Sequence, residues 1–406
     1  MHTAKRLPMR PKVAIVAFDC LRRRTGVSRA ISTFAAYFGD RVVVVTDCYR
    51  EGVTHRINDA TKIYVLGDRT SSLGAKSLIG FVRAPARILS LANEIDVTLL
   101  NAHGYFSLLV SCAARLLSGG RLKVSWLAYD FNDLFLTFLD GAIGRLLTST
   151  GLVNQIVVLS VGMKRFVEET LGFSNTCVLR IGVSPSLVAV SNRLLERQSM
   201  SLVKQKLRID PSLRPFAKLY FHDSLLPHRR LEDLLRAVSI LKNEFGVKRI
   251  VVYVAGSLRL NPRYVRGLMQ LIGRLNLTRE IIFLGSLEDD ESIGFMYSYS
   301  DIFVFPCSPQ SWGLAPLEAM LFGKPVIVTY GSGVSEILAG IDVAEIVPPR
   351  SPRDLANSIM NMIREMKHRQ RRRKTALHAR SFVLKNMTYV STGRQLEEMW
   401  KPLINP

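Results

Sequence analysis

The chain has 406 residues, 48% of them hydrophobic, and its 55 lysines and arginines against 33 acidic residues give a formal net charge of +22. A chain of this length exceeds what one hydrophobic core usually organises, so we expect two domains. Uninterrupted apolar stretches of about 18 residues are missing, and the charged start runs directly into an apolar strand, which argues against a membrane-spanning helix and a signal peptide. We therefore expect a cytoplasmic protein.

The predicted elements alternate between strand and helix from the start of the chain. An apolar run at Lys12–Phe18, a helical pattern at Val27–Phe38 and a second apolar run at Arg41–Asp47 predict a βαβ unit with parallel strands. Further strands are predicted at Lys62–Leu66, Val97–Ala102, Lys123–Tyr129, Gln155–Ser160 and Thr176–Val183. These elements predict a first Rossmann-like domain over residues 1–184.

The alternation then stops and begins again. Val183–Pro215 is polar and irregular in period, which is typical of a hinge or connecting segment. A strand at Lys218–Asp223 opens a second series of strands and helices, which predicts a second domain over residues 185–388. A last helix within residues 389–406 is expected to cross back toward the first domain. Two facing doubly wound domains would leave a cleft at the carboxyl ends of their strands, where such sheets bind ligands.

The most informative segment of the second domain is Ser308–Leu338. It follows a short apolar run at Asp301–Phe305, the pattern of a strand buried on both faces of a parallel sheet. A loop comes next, and Pro316 then lies where the first turn of a helix tolerates proline. The backbone N–H groups around Gly313 and Leu314 would point out of the carboxyl edge of the sheet, so we expect an anionic ligand there.

Two further features of the composition limit the function classes. The five cysteines (Cys20, Cys48, Cys112, Cys177 and Cys307) are widely separated and form no C-x-x-C pair, which argues against a disulfide framework or a zinc site. The positive charge predicts an anionic partner. We interpret its densest run, residues 364–380, as either a solvated helix face or a membrane-surface segment, and nucleic acid is not expected because no nucleic-acid-binding module accompanies it.

Taken in chain order, several segments resemble family-4 glycosyltransferases, which are retaining enzymes of the GT-B fold. The resemblance is carried by TGVSRAISTFA at Thr25–Ala35, VVLSVGMKRFVEETLG at Val157–Gly172, LRIGVSP at Leu179–Pro185 and the segment Ser308–Leu338. It implies an α/β protein with two facing Rossmann-like domains and an inter-domain cleft. It also implies a nucleotide-sugar donor, a glycan or lipid-linked acceptor, and no metal or other cofactor.

The resemblance assigns residues to the donor site. The family has a glutamate, seven residues, and a second glutamate, which holds the ribose hydroxyls; the second is Glu318 here, and Gln310 occupies the first position. An amide can hydrogen-bond to sugar hydroxyls, but it cannot offset positive charge at an anomeric carbon. Gly313 and Leu314 would offer backbone N–H groups to the donor, and Gly26 would do so from the first domain.

Other positions depart from the family pattern or extend the site. The arginine and lysine that neutralise the diphosphate in the family fall on Ser224 and Arg229, so one cation is missing, and the neighbouring Arg230 is a candidate replacement. Glu336 matches a position that lines the donor pocket.

In the first domain, Tyr129 stands where many relatives have a histidine, and it is followed by Asp130; both are candidates to orient the sugar. His103 is interpreted as a structural residue at a strand end. Asp130, Asn132 and Asp133 resemble a carboxylate metal site, but an interpretation as surface residues is favoured.

Three functions remain open at this point. The first is a retaining, metal-independent glycosyltransferase, located in the cytoplasm and peripherally on an anionic membrane. The second is a non-catalytic relative acting as a binding or partner subunit, motivated by Gln310, Ser224 and Tyr129. The third, a nicotinamide-dependent dehydrogenase, is disfavoured because no G-x-G-x-x-G follows a predicted strand.

Overall fold

The computed structural model describes residues 12–18, 26–46, 61–66, 78–129, 145–194 and 217–405. These residues divide into two compact units, one within residues 1–184 and 389–406 and the other within residues 185–388. Among the described residues, each helix is either too short or too polar to be a candidate membrane span.

The first unit is built on a parallel sheet. Its described strands lie in the order β3-β2-β1-β4-β5-β6-β7. Every residue of the first, second, fourth and sixth strands is buried, which explains why these segments are apolar runs without alternation. The strands are β1 (Val13–Val16), β2 (Val42–Thr46), β3 (Lys62–Val65), β4 (Leu99–His103), β5 (Lys123–Leu127), β6 (Gln155–Val158) and β7 (Thr176–Val178).

Helices connect these strands, as parallel neighbours require. They are α1 (Gly26–Phe38), α2 (Leu78–Ile95), α3 (Tyr105–Leu117) and α4 (Val161–Leu171). The strand predicted at Gln155–Ser160 ends at Val158 because Ser160 caps α4: its side chain accepts a hydrogen bond from the N–H of Met163 at 3.2 Å.

The second unit repeats this plan. Its described strands form a parallel sheet in the order β10-β9-β8-β11-β12-β13. The strands are β8 (Ala217–His222), β9 (Ile250–Ala255), β10 (Ile281–Gly285), β11 (Ile302–Phe305), β12 (Val326–Thr329) and β13 (Ala344–Val347). The helices are α5 (Pro185–Leu194), α6 (Leu231–Asn243), α7 (Pro262–Arg274), α8 (Asp290–Tyr299), α9 (Leu314–Leu321), α10 (Ser335–Leu338), α11 (Pro352–Met366) and α12 (Arg369–Asn386).

The prediction of an irregular connection over Val183–Pro215 was wrong for its first part. Pro185–Leu194 forms α5, which packs on α8 inside the second unit. Leu187 and Val190 of α5 are buried. The helix was missed because the polar and apolar residues around it do not show a clear helical period. Residues 195–216 lie outside the described part of the chain.

The last helix, α13 (Tyr389–Ile404), belongs to the first unit and packs on α1. Phe38 of α1 stacks on Trp400 with ring centroids 5.1 Å apart. The hydroxyl of Tyr37 donates a hydrogen bond to Glu397 at 2.8 Å, and Gly393 lies against the ring of Tyr37. This contact positions α13 through both apolar and polar interactions.

Candidate functional site

The carboxyl edge of the second sheet brings together most of the predicted donor residues. Strands β8 and β11 are neighbours, and from them the chain winds outward in opposite directions, through β9 and β10 on one side and β12 and β13 on the other. Ligands of open α/β sheets bind at such a switch point. The loops that leave the strands here span residues 223–230, 306–313 and 330–334. They carry Ser224, Arg229, Gln310 and Gly313, and α9 adds Leu314 and Glu318.

Two of these loops are hydrogen-bonded to each other along their backbones. The N–H of Gln310 donates to the carbonyl of Gly331 at 3.1 Å, and the N–H of Gly333 donates to the carbonyl of Gln310 at 2.9 Å. The N–H of Val334 donates to the carbonyl of Trp312 at 3.1 Å, and the Trp312 side chain is buried. The backbone of Gln310 is therefore fixed on both sides, which makes it a rigid support for its side chain.

Arg229 links the loop after β8 to the loop after β11. Its Nη1 donates a hydrogen bond to Oε1 of Gln310, and its Nε lies 3.3 Å from Oδ1 of Asp223. Asp223 also accepts hydrogen bonds from the backbone N–H of Ser224 at 2.6 Å and from its hydroxyl at 3.1 Å. A half-buried guanidinium is thus held beside the position predicted for a diphosphate, with one carboxylate next to it.

Arg230, the candidate replacement for the missing cation, is engaged elsewhere. Its Nε and Nη2 each donate to Asp233 at 3.0 Å, and its Nη1 lies 3.1 Å from Glu232. Burial alone would lower the pKa of Arg230, but the hydrogen bond with Asp233 and the charges of Asp233 and Glu232 raise that pKa overall. The guanidinium is bound to the first turn of α6, so Arg229 is the better placed of the two cations.

Glu318 is buried on α9 with only 3% of its surface exposed. The hydroxyl of Tyr297, a fully buried residue of α8, donates a hydrogen bond to its Oε2 at 2.9 Å. The same hydroxyl lies 3.3 Å from Nδ1 of His222, the last residue of β8. Because a buried carboxylate needs fixed hydrogen-bond partners, Tyr297 and His222 position Glu318. Neither residue was predicted from the sequence. His222 appears there only as a polar residue at a strand end, and Tyr297 only as a polar residue in an apolar helix.

The start of α9 provides the predicted N–H groups. Gly313 precedes the helix with φ of +121°, and a Cβ built on it would lie 3.0 Å from the ring of Phe305, so glycine is favoured here. The first N–H groups of a helix lack partners inside the helix and carry its positive dipole end. Leu314 is the first helical residue, two before Pro316. Glu336 is exposed in the first turn of α10, directly after the loop at 330–334.

Cys307 lies beneath these loops and is not placed to act as a nucleophile. Its Sγ is 3.5 Å from the carbonyl oxygen of Arg229 and 3.8 Å from Oδ2 of Asp223. Burial and the negative charge of Asp223 raise the pKa of its thiol well above the usual value. The thiol therefore stays protonated and packs as a small apolar residue, as the sequence predicts.

In the first unit, Tyr129 forms part of a buried polar chain. Its hydroxyl lies 2.8 Å from Nδ1 of His103, whose Nε2 lies 2.7 Å from Oδ1 of Asn101. The amide nitrogen of Asn101 donates to the carbonyl of Ser125 at 3.4 Å, so its oxygen is the acceptor for Nε2–H. Nδ1 of His103 therefore accepts from Tyr129. His103 is the last residue of β4, in agreement with its interpretation as a structural residue at a strand end, and it positions the hydroxyl of Tyr129.

Burial lowers the pKa of His103 to about 3, which predicts a specific pH dependence of stability. In the unfolded chain the pKa of this histidine is about 6.5, so only the unfolded state gains a proton as the pH falls from about 6.5 toward 3. The free energy of unfolding is therefore highest above about pH 6.5 and decreases over that range. From about pH 7 to about pH 5 we expect His103 to remove about 2 kcal/mol from the free energy of unfolding. Denaturant titrations measure this. His103→Gln should show a smaller loss over the same range, and an equal loss would contradict the assignment.

Other predicted residues of the first unit lie outside the described residues or at their limit. Asp130, Asn132 and Asp133 lie outside the described residues. Gly26 begins α1, and its surroundings are not described. Among the described residues, no group of three His, Cys, Asp or Glu side chains is placed to hold a metal ion.

Several known proteins have sequences that are similar to parts of this chain. Residues 211–378 match the family model "Glycosyl transferases group 1", which covers the β8–α12 region. The chain is 31% identical over 112 residues to the serotype-specific mannosyltransferase WbdA of Escherichia coli, which is 27% of this chain and 13% of that protein. It is 28% identical over 131 residues to D-inositol 3-phosphate glycosyltransferase of Corynebacterium jeikeium, 32% of this chain and 31% of that protein. The matches therefore span less than a third of each relative.

Solved structures match nearly the whole chain. A glycosyltransferase from Rickettsia africae superposes with a TM-score of 0.76 at 16% identity, covering 98% of this chain and 99% of that one. HepE of Anabaena, solved with UDP and glucose, has a TM-score of 0.74 at 18% identity and covers 97% and 100%. These matches confirm the predicted two-domain Rossmann-like GT-B fold. The family match also supports the prediction that the chain is an enzyme that transfers sugars.

Proposed function

We propose that the chain is a retaining family-4 glycosyltransferase that moves a sugar from a nucleotide-sugar to a glycan or lipid-linked acceptor without a metal. The observation that carries this proposal is the convergence of Glu318, Arg229 and the start of α9 at the switch point of the second sheet. A carboxylate can bind ribose hydroxyls, and a cation together with the first N–H groups of a helix can bind a diphosphate.

In this mechanism the second unit stabilises the leaving group. As the bond to the anomeric carbon breaks, negative charge develops on the diphosphate, and the N–H groups at Gly313 and Leu314 together with Arg229 stabilise it. These groups are already oriented by the loop contacts, so little reorganisation is needed. Glu318 binds the ribose, and Tyr297 holds its carboxylate in place. The complex of HepE with UDP-glucose supports a nucleotide-sugar as the donor.

The donor sugar would meet the side chain of Gln310 on the loop after β11. Its carbonyl oxygen accepts from Arg229, so its amide N–H₂ is the part that can donate to sugar hydroxyls. Because an amide carries no charge, positive charge at the anomeric carbon must be stabilised by the departing diphosphate. Ser224 stands where the family has a cation, and its hydroxyl donates to Asp223. The roles of Tyr129, Asp130 and Gly26 in contacting the donor stay predictions.

A donor panel separates this function from a non-catalytic binding role. The purified chain is incubated with UDP-, GDP- and ADP-sugars, and released nucleotide is measured with and without glycan acceptors. We expect turnover with one nucleotide class, because the base and ribose contacts select the nucleotide. Binding or stabilisation by a donor without turnover would favour the partner-subunit alternative, and neither binding nor turnover with any donor would contradict a donor site.

The net charge supports a cytoplasmic location at an anionic membrane, where a lipid-linked acceptor would be available. Sedimentation with phosphatidylglycerol vesicles should exceed that with phosphatidylcholine vesicles and should fall with added salt. Equal and salt-independent recovery would contradict this location.

A further inference from the structure

A basic pocket of about 450 Å³ lies at the amino-terminal edge of the second sheet, opposite to the edge that carries Glu318. Its wall includes Asp301, which directly precedes β11, and Lys324, which lies two residues before β12. The first turns of α12 contribute Arg369, Arg372 and Arg373. Four basic side chains and one acidic side chain therefore line one concave site.

The one carboxylate in this pocket is already engaged. Oδ2 of Asp301 accepts a hydrogen bond from the backbone N–H of Lys218 at 2.9 Å, and Oδ1 lies 3.7 Å from its Nζ. Among the described residues, no ion pair joins Arg369, Arg372 or Arg373 to a carboxylate, whereas the adjacent Arg371 pairs with Glu365. The three arginines thus concentrate positive charge that no side chain of the described part of the chain neutralises.

The buried ammonium group of Lys324 adds to the repulsion among these positive charges. Its Nζ donates a hydrogen bond to the carbonyl of Ser298 at 2.8 Å. Burial lowers the pKa of Lys324 to about 8; the charge of Asp301 opposes this, and the charges of Lys218 and Arg372 add to it. A bound anion would relieve this repulsion, because it adds an opposite charge next to several cations.

A second pocket of about 350 Å³ continues the basic surface past the junction of α11 and α12. Its basic lining residues are Lys248, Arg249, Arg364 and Lys367, and no acidic residue lines it. Arg364 and Lys367 line this second pocket, whereas Met366 and Arg369 line the first. Part of the basic run at residues 364–380 therefore lines concave surface and is not only a solvated helix face.

We propose that the pocket formed by Lys324, Arg369, Arg372 and Arg373 binds a ligand with clustered phosphate groups, independently of the donor site. Guanidinium groups bind phosphate oxygens through paired, charge-assisted hydrogen bonds, and three arginines spaced i, i+3 and i+4 at one helix end suit several phosphates better than one. The phosphates can belong to a soluble polyphosphate or to the headgroups of acidic lipids, and both present the same chemistry to the arginines.

The test measures binding of inorganic tripolyphosphate by titration calorimetry. Arg372→Gln with Arg373→Gln should weaken binding by about tenfold or more, because each change removes a charge-assisted hydrogen bond. Arg369→Gln with Arg372→Gln provides a second variant of the same pocket. The matched control is Arg263→Gln with Arg266→Gln, which removes the same charge from the exposed face of α7 and should change affinity less than about twofold.

Two additional arms separate the sources of phosphate and the two sites. Arginine-dependent sedimentation with phosphatidylglycerol vesicles would identify lipid headgroups, and tripolyphosphate binding without such sedimentation would identify a soluble ligand. Arg229→Gln should leave tripolyphosphate binding to the pocket unchanged, since this substitution alters only the carboxyl edge of the sheet, where the donor site lies. If both pocket variants bind tripolyphosphate like the wild type, or if the α7 control loses as much affinity as they do, the pocket is not a phosphate site.

Discussion

Replacing Glu318 with glutamine is expected to lower kcat/KM for the preferred donor by about 10- to 100-fold. The substitution keeps the shape of the side chain, and the hydroxyl of Tyr297 can still donate to the amide oxygen at the place of Oε2. What changes is the charge. Hydrogen bonds from ribose hydroxyls to a carboxylate are each worth about 1.5–3 kcal/mol, and those to a neutral amide are about half as strong.

The control for this prediction is Glu169→Gln, an isosteric change on the exposed face of α4 in the first unit. It should leave kcat/KM and thermal unfolding unchanged. Tyr297→Phe adds a test of positioning: it removes the hydrogen bond to Glu318 and should raise KM for the donor more than it lowers kcat. If Glu318→Gln keeps wild-type kcat/KM, the buried carboxylate has a structural role only.

The second large effect is expected on stability, from Gly393→Ala in α13. A Cβ at this position would lie 2.0 Å from Cγ of Tyr37, so the tyrosine ring must move. That movement breaks the hydrogen bond from Tyr37 to Glu397 and disturbs the packing of α13 on α1. Overpacking lowers the free energy of unfolding by about 1–3 kcal/mol, and loss of the hydrogen bond to the carboxylate lowers it by about 1.5–3 kcal/mol. The higher helix propensity of alanine raises it by about 1 kcal/mol. We expect a net loss of about 1.5–5 kcal/mol and a lower Tm by roughly 3–20 °C.

Gly267→Ala is the matched control because it is the same substitution in the middle of another helix. No atom of the described residues lies within 4 Å of the added Cβ, so the gain in helix propensity should appear alone, as an equal or higher Tm. Scanning calorimetry of the two variants measures the contrast. A Gly393→Ala protein as stable as Gly267→Ala would contradict the close contact between α13 and α1.

The sheets could be predicted from sequence because their central strands are buried on both faces. Val42–Thr46 and Ile302–Phe305 appear as apolar runs of the right length between helical patterns, and they lie within one residue of the predicted strands. The two doubly wound domains followed from the repetition of this pattern in each half, and the resemblance to family-4 glycosyltransferases implied the GT-B fold. Ala344–Val347 was not predicted, because its residues are only partly buried and include a glutamate.

The contacts within the site could not be predicted in the same way. Arg229 and Gln310 are 81 residues apart, and their contact depends on β8 and β11 being neighbours in the sheet. Tyr297 and Glu318 are 21 residues apart, and their contact depends on how α8 and α9 pack around β11. The pairing of Tyr129 with His103 likewise follows from the register of β4 and β5. Glu318 and Gly313 could be predicted for the donor site from the segment Ser308–Leu338 and its resemblance to the family motif, because both lie in one local segment. The partners that orient them come from distant segments and leave no local pattern.

The most direct test of the central claim is a crystal structure of the chain with the nucleotide diphosphate of its preferred donor. We expect phosphate oxygens within hydrogen-bond distance of the N–H groups at Gly313 and Leu314 and of the Arg229 guanidinium, with the ribose hydroxyls on Glu318. A nucleotide bound away from the carboxyl ends of β8 and β11, with Glu318 contacting only protein groups, would contradict it.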